Sequence, residues 1–296
     1  MIDICCIGHI TLDKIITPEN VVFMNGGTSY YFAHGINHLP SKLDFKLVTS
    51  MAEKDRKAVD ELRNLGIDVV MYNSKETVFF ENRYGNNRNN RTQRVLAKAD
   101  PFSVDQLKDI DARFFHLGSL LDDDFSPALI KYLSGKAIVS VDVQGFLRQV
   151  RGQQVYPTDW ADKEELLPYI DILKLNEHEM RTVTGLRSPR KVALKLADMG
   201  VKEVLITLGS CGSLIYANQH FYEIPAYPPS QIVDTTGCGD TYSTGYLYCR
   251  ALGMDYEESG RFAAAMCTLK LEHNGPFDGT LDDIETLITK YQKQIV

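Results

Sequence analysis

The sequence alternates between short apolar runs and longer segments with helical spacing of apolar residues. The short runs are almost continuously apolar, which is typical of strands that are buried on both faces. Several longer segments end at a glycine, the residue that most often closes a helix. The predicted strands are 2–7, 45–49, 114–117, 137–141, 170–174 and 204–207, and the predicted helices are 55–65, 189–199, 240–252, 256–271 and 281–292. This alternation predicts an α/β fold in which helices cover both faces of a mainly parallel sheet, a three-layer sandwich.

Two stretches interrupt this alternation. Residues 12–24 carry two apolar runs on either side of a Pro-Glu-Asn turn, and residues 69–98 carry two more. The second pair is separated by residues 85–90, whose glycine and asparagine content is typical of a turn. Both stretches predict antiparallel strands outside the main sheet. The simplest arrangement is a small β-strand lid inserted into one domain of residues 1–296.

Composition argues against several classes of protein. A chain of 296 residues with 44% hydrophobic residues can bury a core, and its net charge of −7 opposes nucleic-acid binding. No apolar run is long enough for a membrane span. Residues 1–8 carry Asp3 inside an apolar run, so we expect a first strand and not a signal peptide. Six scattered cysteines without a CxxC pair indicate reduced thiols in a cytoplasmic protein.

The segment 234–240, Asp-Thr-Thr-Gly-Cys-Gly-Asp, precedes a predicted helix that is rich in small residues. Gly237, Cys238 and Gly239 lie where that helix begins, so backbone N–H groups and the helix dipole converge into an anion hole. Asp240 follows and can accept a proton from a hydroxyl, as phosphoryl transfer requires. A helix N-terminus does not raise a carboxyl pKa, so we expect an ionised Asp240. The alternative is a glycine-rich turn with Asp as the N-cap.

This run resembles the C-terminal signature Asp-Thr-x-Gly-Ala-Gly-Asp of the ribokinase/PfkB family of carbohydrate kinases, with Cys238 in place of alanine. The resemblance implies a ribokinase-like fold and ATP-dependent phosphorylation of a hydroxyl, with Mg²⁺ as a cofactor and no Walker A motif. Asp13, after Gly8, resembles the family residue that holds substrate hydroxyls. The pair Gly26-Gly27 resembles the family's hinge between lid and core. Each of these is an ordinary turn residue when it is considered alone.

The resemblance extends to further loops. Gln144 and Arg148 lie in a segment similar to the family's substrate cleft, where Arg148 either neutralises phosphate charge or is a solvated surface residue. Asn176 and Glu179 resemble the family's Asn-x-x-Glu motif, whose acid acts on Mg²⁺ through water, and the same residues suit a helix N-cap. By the same resemblance, the remaining ATP contacts are Thr207, Gly209, Gly212 and Asn274, and oxygens for a K⁺ ion come from Asp234 and Thr236.

The acceptor is the least determined part of the sequence. The stretch 28–32 lacks the polar residues of ribose-specific members, and the segments 26–32, 93–96 with 100–101, and 142–148 resemble the inositol-kinase branch. Arg94, on a lid strand, either contacts a polyol or a phosphate or points outward from its strand. We therefore expect a sugar or polyol such as myo-inositol, contacted by Thr28 and Arg94. A nucleoside kinase of the same family stays open, because lid aromatics could clamp a base, and so does a non-catalytic ligand-binding relative. Exposed lid strands also predict a homodimer formed through the lid.

Overall fold

The computed structural model describes residues 1–40, 42–85 and 91–295, and fifteen strands and ten α-helices lie in that part of the chain. The strands are β1 (Ile2–Ile7), β2 (Thr11–Ile16), β3 (Val21–Gly26), β4 (Phe45–Met51), β5 (Asp68–Asn73), β6 (Val78–Tyr84), β7 (Arg91–Ala97), β8 (Ala112–Gly118), β9 (Ile138–Asp142), β10 (Arg148–Arg151), β11 (Gln154–Pro157), β12 (Ile172–Asn176), β13 (Glu203–Thr207), β14 (Ser213–Ala217) and β15 (His220–Ile224). The helices are α1 (Thr28–Asn37), α2 (Lys57–Asn64), α3 (Val104–Leu107), α4 (Pro127–Ser134), α5 (Lys163–Leu166), α6 (Glu177–Thr184), α7 (Pro189–Asp198), α8 (Cys238–Ala251), α9 (Tyr256–Leu271) and α10 (Leu281–Ile295).

The large sheet contains nine of these strands, in the order β15-β14-β13-β12-β9-β8-β1-β4-β5. The strands from β13 to β5 run parallel, and β14 and β15 extend the sheet as an antiparallel edge. One apolar cluster lies between the sheet and helices α1, α2, α8, α9 and α10, and a second lies on the other face under α3 to α7. The predicted three-layer α/β sandwich with a mainly parallel sheet is confirmed.

The elements predicted from apolar patterning are all present. The predicted strand 2–7 and the predicted helix 256–271 coincide with β1 and α9, and the others differ by a few residues at their ends. Helix α8 begins two residues earlier than predicted, at Cys238, so Gly239 and Asp240 belong to its first turn.

The small sheet forms the lid, in the strand order β10-β11-β7-β6-β2-β3. The pairs β2–β3 and β6–β7 are antiparallel as predicted, but β2 and β6 pair in parallel, because the chain returns through the core between them. The lid also differs in extent from the prediction. Strand β5 belongs to the large sheet, so the second lid segment begins at Val78, and the hairpin β10–β11 is added. Residues 86–90 of the predicted turn lie outside the described residues.

The lid is connected to the large sheet at one edge, where parallel strands end. Strand β2 begins four residues after β1 ends, and β10 begins six residues after β9 ends. Strands β12 and β13 end at the same edge, which is where open α/β sheets bind ligands. Among the described residues, no helix is long and apolar enough to cross a membrane. All six cysteines are free thiols, as predicted.

Candidate active site

The start of helix α8 has the local geometry that an anion hole requires. Gly237 precedes the helix with a φ of 76°, and an added Cβ there would overlap the ring of Tyr31, so only glycine fits. The Gly237 carbonyl accepts the first helical hydrogen bond, from the N–H of Thr241 at 2.8 Å. The N–H groups of the first turn cannot be bonded within the helix, and the positive end of the helix dipole lies with them.

Asp240 lies in this first turn, and the prediction of an ordinary pKa is wrong. Burial, with the negative charge of Asp142 as the second cause, raises the pKa of Asp240 to about 7. Lys174, a hydrogen bond from the Thr28 hydroxyl and the charge of Arg148 oppose the rise without cancelling it. Desolvation and the like charge of Asp142 therefore outweigh these three opposing contributions. Asp240 keeps a partly accessible surface, so its side chain can be reached by a ligand.

A buried ion pair lies directly beneath the anion hole. Lys174 Nζ is 2.6 Å from Asp142 Oδ2, and both side chains are almost completely buried. The two residues are direct neighbours in the parallel pairing of β9 with β12. Lys174 lowers the pKa of Asp142 and, in turn, its own pKa is raised by Asp142, both against the effect of burial. An added Cβ on Gly239 would lie 2.5 Å from Lys174 Nζ, so glycine is needed for the helix to approach this cation.

Helix α1 contributes two residues to the same site. It begins after Gly27, whose φ of 92° and close approach to the His9 carbonyl both exclude a side chain. Thr28 is 2% exposed and donates its hydroxyl hydrogen bond to Asp240. Tyr31 packs against Gly237, and its buried hydroxyl has no hydrogen-bond partner among the described residues. The negative charges of Asp234, Asp240 and Asp13 all add to the burial that raises the pKa of that hydroxyl, so the three carboxyl groups lie within electrostatic range of Tyr31.

Asp13 and Arg94, which were predicted to contact the acceptor, both lie on strands of the lid. Asp13 on β2 accepts a hydrogen bond from the Thr11 hydroxyl at 2.8 Å, and Gly26 is so close that an added Cβ would lie 2.7 Å from Asp13 Oδ2. Arg94 on β7 has its guanidinium 3.5 Å from Glu81 Oε1 and is bonded to Gln153. Glu81 is 5% exposed and also binds Lys14 at 3.0 Å. Arg94 is thus tied into a charged cluster of the lid.

The loops after β9 and β12 carry the residues predicted for phosphate and Mg²⁺. Asn176 and Glu179 form a capping box at the start of α6, with the Asn176 N–H donating to Glu179 Oε2 at 2.8 Å. Burial, aided by the charge of Asp142, raises the pKa of Glu179, while Lys174 and Arg148 lower it. Gln144 donates its N–H to Asp142 Oδ1 at 3.1 Å.

Metal chemistry at this position is restricted by the donor set. Among the described residues, no three His, Cys, Asp or Glu side chains gather into a metal site. A Mg²⁺ ion commonly uses one or two carboxylates, waters and the phosphates of its substrate. The Glu179 carboxylate is partly accessible and suits contact with Mg²⁺ through a water molecule. It does not suit a site in which the protein supplies all the ligands.

Three of the residues predicted for the nucleotide lie at the end of β13 and in the loop that follows it. Thr207 is its last residue, and the loop that follows closes with the Leu208 N–H donating to the Gly212 carbonyl at 2.8 Å. Gly209 and Gly212 have φ values of 55° and 86°. Gly212 packs against the backbone of Ile224, which leaves no room for a side chain. Asn274 is exposed in the loop between α9 and α10.

Asp234 and Thr236, the predicted K⁺ ligands, lie beside a buried lysine. Lys270 Nζ donates to the Asp234 carbonyl at 2.7 Å and lies 3.1 Å from Asp234 Oδ2. The Asp234 carboxylate also accepts the N–H of Thr236 at 2.9 Å and that of Gly275 at 3.2 Å. The main-chain and side-chain oxygens of Asp234 are thus already bound to a cation that belongs to the chain.

Sequence reasoning missed Tyr31, Asp142, Lys174 and Lys270 as site residues. The pairing of Asp142 with Lys174 follows from aligning two predicted parallel strands at their carboxyl ends. Lys270 carries a charge inside an otherwise apolar helical stretch, which is the usual sign of a buried ion pair. No sequence pattern distinguishes Tyr31 from its neighbour Tyr30, because helix α1 was not predicted.

Comparisons with known proteins identify the family to which the chain belongs. The sequence model of the pfkB family carbohydrate kinases matches residues 1–282. A cytidine kinase of Thermococcus kodakarensis is 27% identical over 272 residues, which cover 88% of this chain and 93% of that protein. The ribokinase of Arabidopsis thaliana is 37% identical over 117 residues, and the match spans 38% of this chain and only 31% of the ribokinase.

A solved structure shares the whole architecture. It is a pyrophosphate-dependent kinase in the ribokinase family, complexed with a pyrophosphate analog and myo-inositol. It superimposes with a TM-score of 0.85 at 29% sequence identity and covers 96% of this chain and 99% of its own. The chain therefore belongs to the pfkB family of carbohydrate kinases and has the ribokinase-like fold that the sequence predicted.

Proposed function

We propose that this protein is a phosphotransferase that moves the terminal phosphoryl group of ATP onto a hydroxyl of a sugar or polyol, with myo-inositol as the first candidate. One observation carries the proposal. The carboxylate of Asp240 has a pKa of about 7 and lies in the first turn of α8, above the Asp142–Lys174 ion pair. A carboxylate with a pKa near neutrality is a stronger base than an ordinary aspartate, and a substantial fraction of it is ionised at neutral pH.

The roles of the other residues follow from their positions. The backbone N–H groups at Gly237, Cys238 and Gly239, where α8 begins, would bind the transferring phosphoryl oxygens, and Lys174 would add fixed positive charge next to them. The Thr28 hydrogen bond holds the Asp240 carboxylate in one orientation. Mg²⁺, when bound through Glu179 and water, would neutralise charge on the donor phosphates. Closure of the lid over the acceptor would exclude water and limit hydrolysis of the donor.

A polyol acceptor is supported by the polar character of the lid. Asp13 offers carboxylate oxygens, which bind hydroxyl groups, and its charge, like that of Asp240, acts on the buried hydroxyl of Tyr31. The structural relative with myo-inositol in its complex is 29% identical to this chain. A nucleoside acceptor is the second candidate, and the full-length similarity to a cytidine kinase favours it. A non-catalytic binding protein is disfavoured because all the groups that transfer needs are retained together.

The donor is a separate question from the acceptor. ATP is the donor expected for this family, and the loops after β13 and α9 are our candidates for binding its nucleoside. Pyrophosphate is the alternative, since a relative with the same architecture is pyrophosphate-dependent. The two donors share the diphosphate that the start of α8 would bind, so that contact does not discriminate between them.

The test is a matrix of donors and acceptors. ATP and pyrophosphate, each with Mg²⁺, are combined with myo-inositol, fructose, ribose, cytidine and adenosine, and formation of ADP or phosphate is followed. We expect acceptor-dependent turnover that is lost in Asp240→Asn and kept in Asp198→Asn, a matched change at an exposed aspartate of α7. Binding of donor without turnover on any acceptor would instead support a non-catalytic relative.

We further propose that two copies of the chain pair through the lid. Strand β3 is the edge of the small sheet and exposes Val21, Val22 and Phe23, which are 55%, 50% and 66% exposed. An apolar edge strand of this kind commonly pairs with another strand. Sedimentation velocity should show a dimer that Phe23→Lys dissociates, and a wild-type monomer at all concentrations would refute pairing through the lid.

The six free thiols support our expectation of a cytoplasmic protein.

A further inference from the structure

Lys270 lies at the C-terminal end of helix α9, and its side chain is completely buried. Its ammonium group is bound by two oxygens of one residue, the carbonyl and the carboxylate of Asp234. A lysine is almost never fully buried unless it is paired. The pairing here is with the residue that begins the segment 234–240, so the charge acts on the loop that leads into the anion hole.

The oxygens that surround the ammonium are also those that a monovalent cation would use. K⁺ binds carbonyl and carboxylate oxygens, and the sequence predicted Asp234 and Thr236 as its ligands. The structure does not fit that prediction, because Lys270 Nζ already lies 2.7 Å from the Asp234 carbonyl oxygen and 3.1 Å from Asp234 Oδ2. A K⁺ ion at the same oxygens would meet a second positive charge with no water between them.

We infer that the Lys270 ammonium takes the place of a bound monovalent cation, so that phosphoryl transfer by this protein needs no K⁺. The expected independence of activity from K⁺ rests on the proposed function. The expected absence of a bound ion at Asp234 does not. Lys270 acts here as a positioning residue. It fixes Asp234, whose carboxylate holds the N–H groups of Thr236 and Gly275 and so joins the loops before α8 and after α9.

A second contact from the same helix supports this role. Cys267, one turn before Lys270, donates its thiol to the Cys238 carbonyl at 3.0 Å. Helix α9 thus holds both ends of the segment 234–238, through Lys270 at one end and Cys267 at the other. The chain itself therefore anchors the segment that leads into α8.

The kinetic test compares salts at constant ionic strength. Wild-type protein is assayed with its working donor and acceptor in potassium chloride and in tetramethylammonium chloride, and we expect the same kcat/KM in both. Activation of the wild type by K⁺ of about tenfold or more, or 1.4 kcal/mol, would overturn the inference. Lys270→Ala, which removes the ammonium and leaves room for an ion, should lose activity in tetramethylammonium and regain part of it in K⁺. Lys290→Ala, at an exposed lysine of α10, is the matched control.

Two further measurements do not depend on catalysis. The melting temperature of Lys270→Ala should rise when K⁺ replaces tetramethylammonium, while that of the wild type should not change. Crystals soaked in Rb⁺ should show no anomalous scattering at Asp234 in the wild type, and a peak there would contradict the inference even if Lys270→Ala does not fold. A wild type that transfers no phosphoryl group refutes the proposed function, and the Rb⁺ result then decides this inference alone.

Discussion

Replacing Asp240 by Asn should lower the activity of the protein and raise its stability. The variant keeps the shape of the side chain and an oxygen that can accept the Thr28 hydrogen bond, but it carries neither charge nor basicity. Loss of the general base should lower kcat by roughly 10²- to 10⁴-fold. Loss of the buried charge should make the folded protein more stable, because burial and Asp142 disfavour the ionised form of Asp240.

The size of the gain follows from the shift in pKa. The pKa of Asp240 rises from an ordinary 3.8 to about 7, and each unit is about 1.4 kcal/mol, so the ionised side chain costs up to about 4 kcal/mol. Partial access of water to the carboxyl reduces that figure, and we expect about 2–4 kcal/mol at pH 8. For a chain of this length such a gain raises the melting temperature by about 3–6 °C.

The stability difference between Asp240→Asn and the wild type should depend on pH. Below the ordinary pKa of 3.8, Asp240 is protonated in both the folded and the unfolded protein, and the variant gains nothing. Between that value and about 7 only the unfolded protein releases the proton, so the wild type loses stability as the pH rises. The difference in melting temperature should therefore grow from pH 5 to pH 7 and stay constant above it.

The assay is thermal denaturation of wild type and Asp240→Asn across this range, with Asp198→Asn as the control, and turnover measured on the same samples. A variant that melts below the wild type at pH 8, or a difference independent of pH, would refute the assigned environment of Asp240. A variant that melts higher but keeps full activity would refute its role as the base.

Four further predictions concern the surroundings of Asp240. Lys174→Met should cost about 3–5 kcal/mol, because it leaves Asp142 buried without its partner, and the double variant with Asp142→Asn should recover much of the loss in denaturant unfolding. Gly237→Ala should lower the affinity for inorganic pyrophosphate, measured by calorimetry, because the added Cβ overlaps Tyr31; unchanged binding would count against the anion hole. Cys238→Ala should leave kcat unchanged. Burial raises the pKa of Cys238 to about 11, so its thiol should react slowly with iodoacetamide at pH 8, which mass spectrometry can measure. Tyr31→Phe should raise KM for the acceptor or donor without unfolding the protein, since it removes a buried hydroxyl that the described protein groups do not bind; identical kinetics would mean that the hydroxyl meets no ligand.

The large sheet could be predicted from the sequence because its strands are buried on both faces. A strand such as β1 must be apolar at nearly every position, and its neighbours in chain order are helices with a single apolar face. The lid was harder to delimit. Strand β5 is only half-buried at the edge of the large sheet and resembles a lid strand, while the short hairpin β10–β11 carries too few apolar residues to stand out.

The candidate site was predictable where backbone geometry fixes the residue type. Gly237 and Gly239 are needed for conformation and for close approach, so a glycine pattern marks them. The electrostatics were not predictable, because the pKa of Asp240 depends on how deeply α8 is buried and on Asp142 and Lys174 from distant strands. The same holds for Lys270, whose partner lies thirty-six residues earlier in the chain.

The most direct test of the proposed phosphoryl transfer to myo-inositol is to identify the product. Wild-type protein is incubated with ATP, Mg²⁺ and myo-inositol, and the reaction is followed by phosphorus NMR. The proposed function predicts a phosphomonoester resonance that grows together with ADP and is absent with Asp240→Asn. Release of inorganic phosphate alone, or no reaction with any acceptor and donor of the matrix, would contradict it.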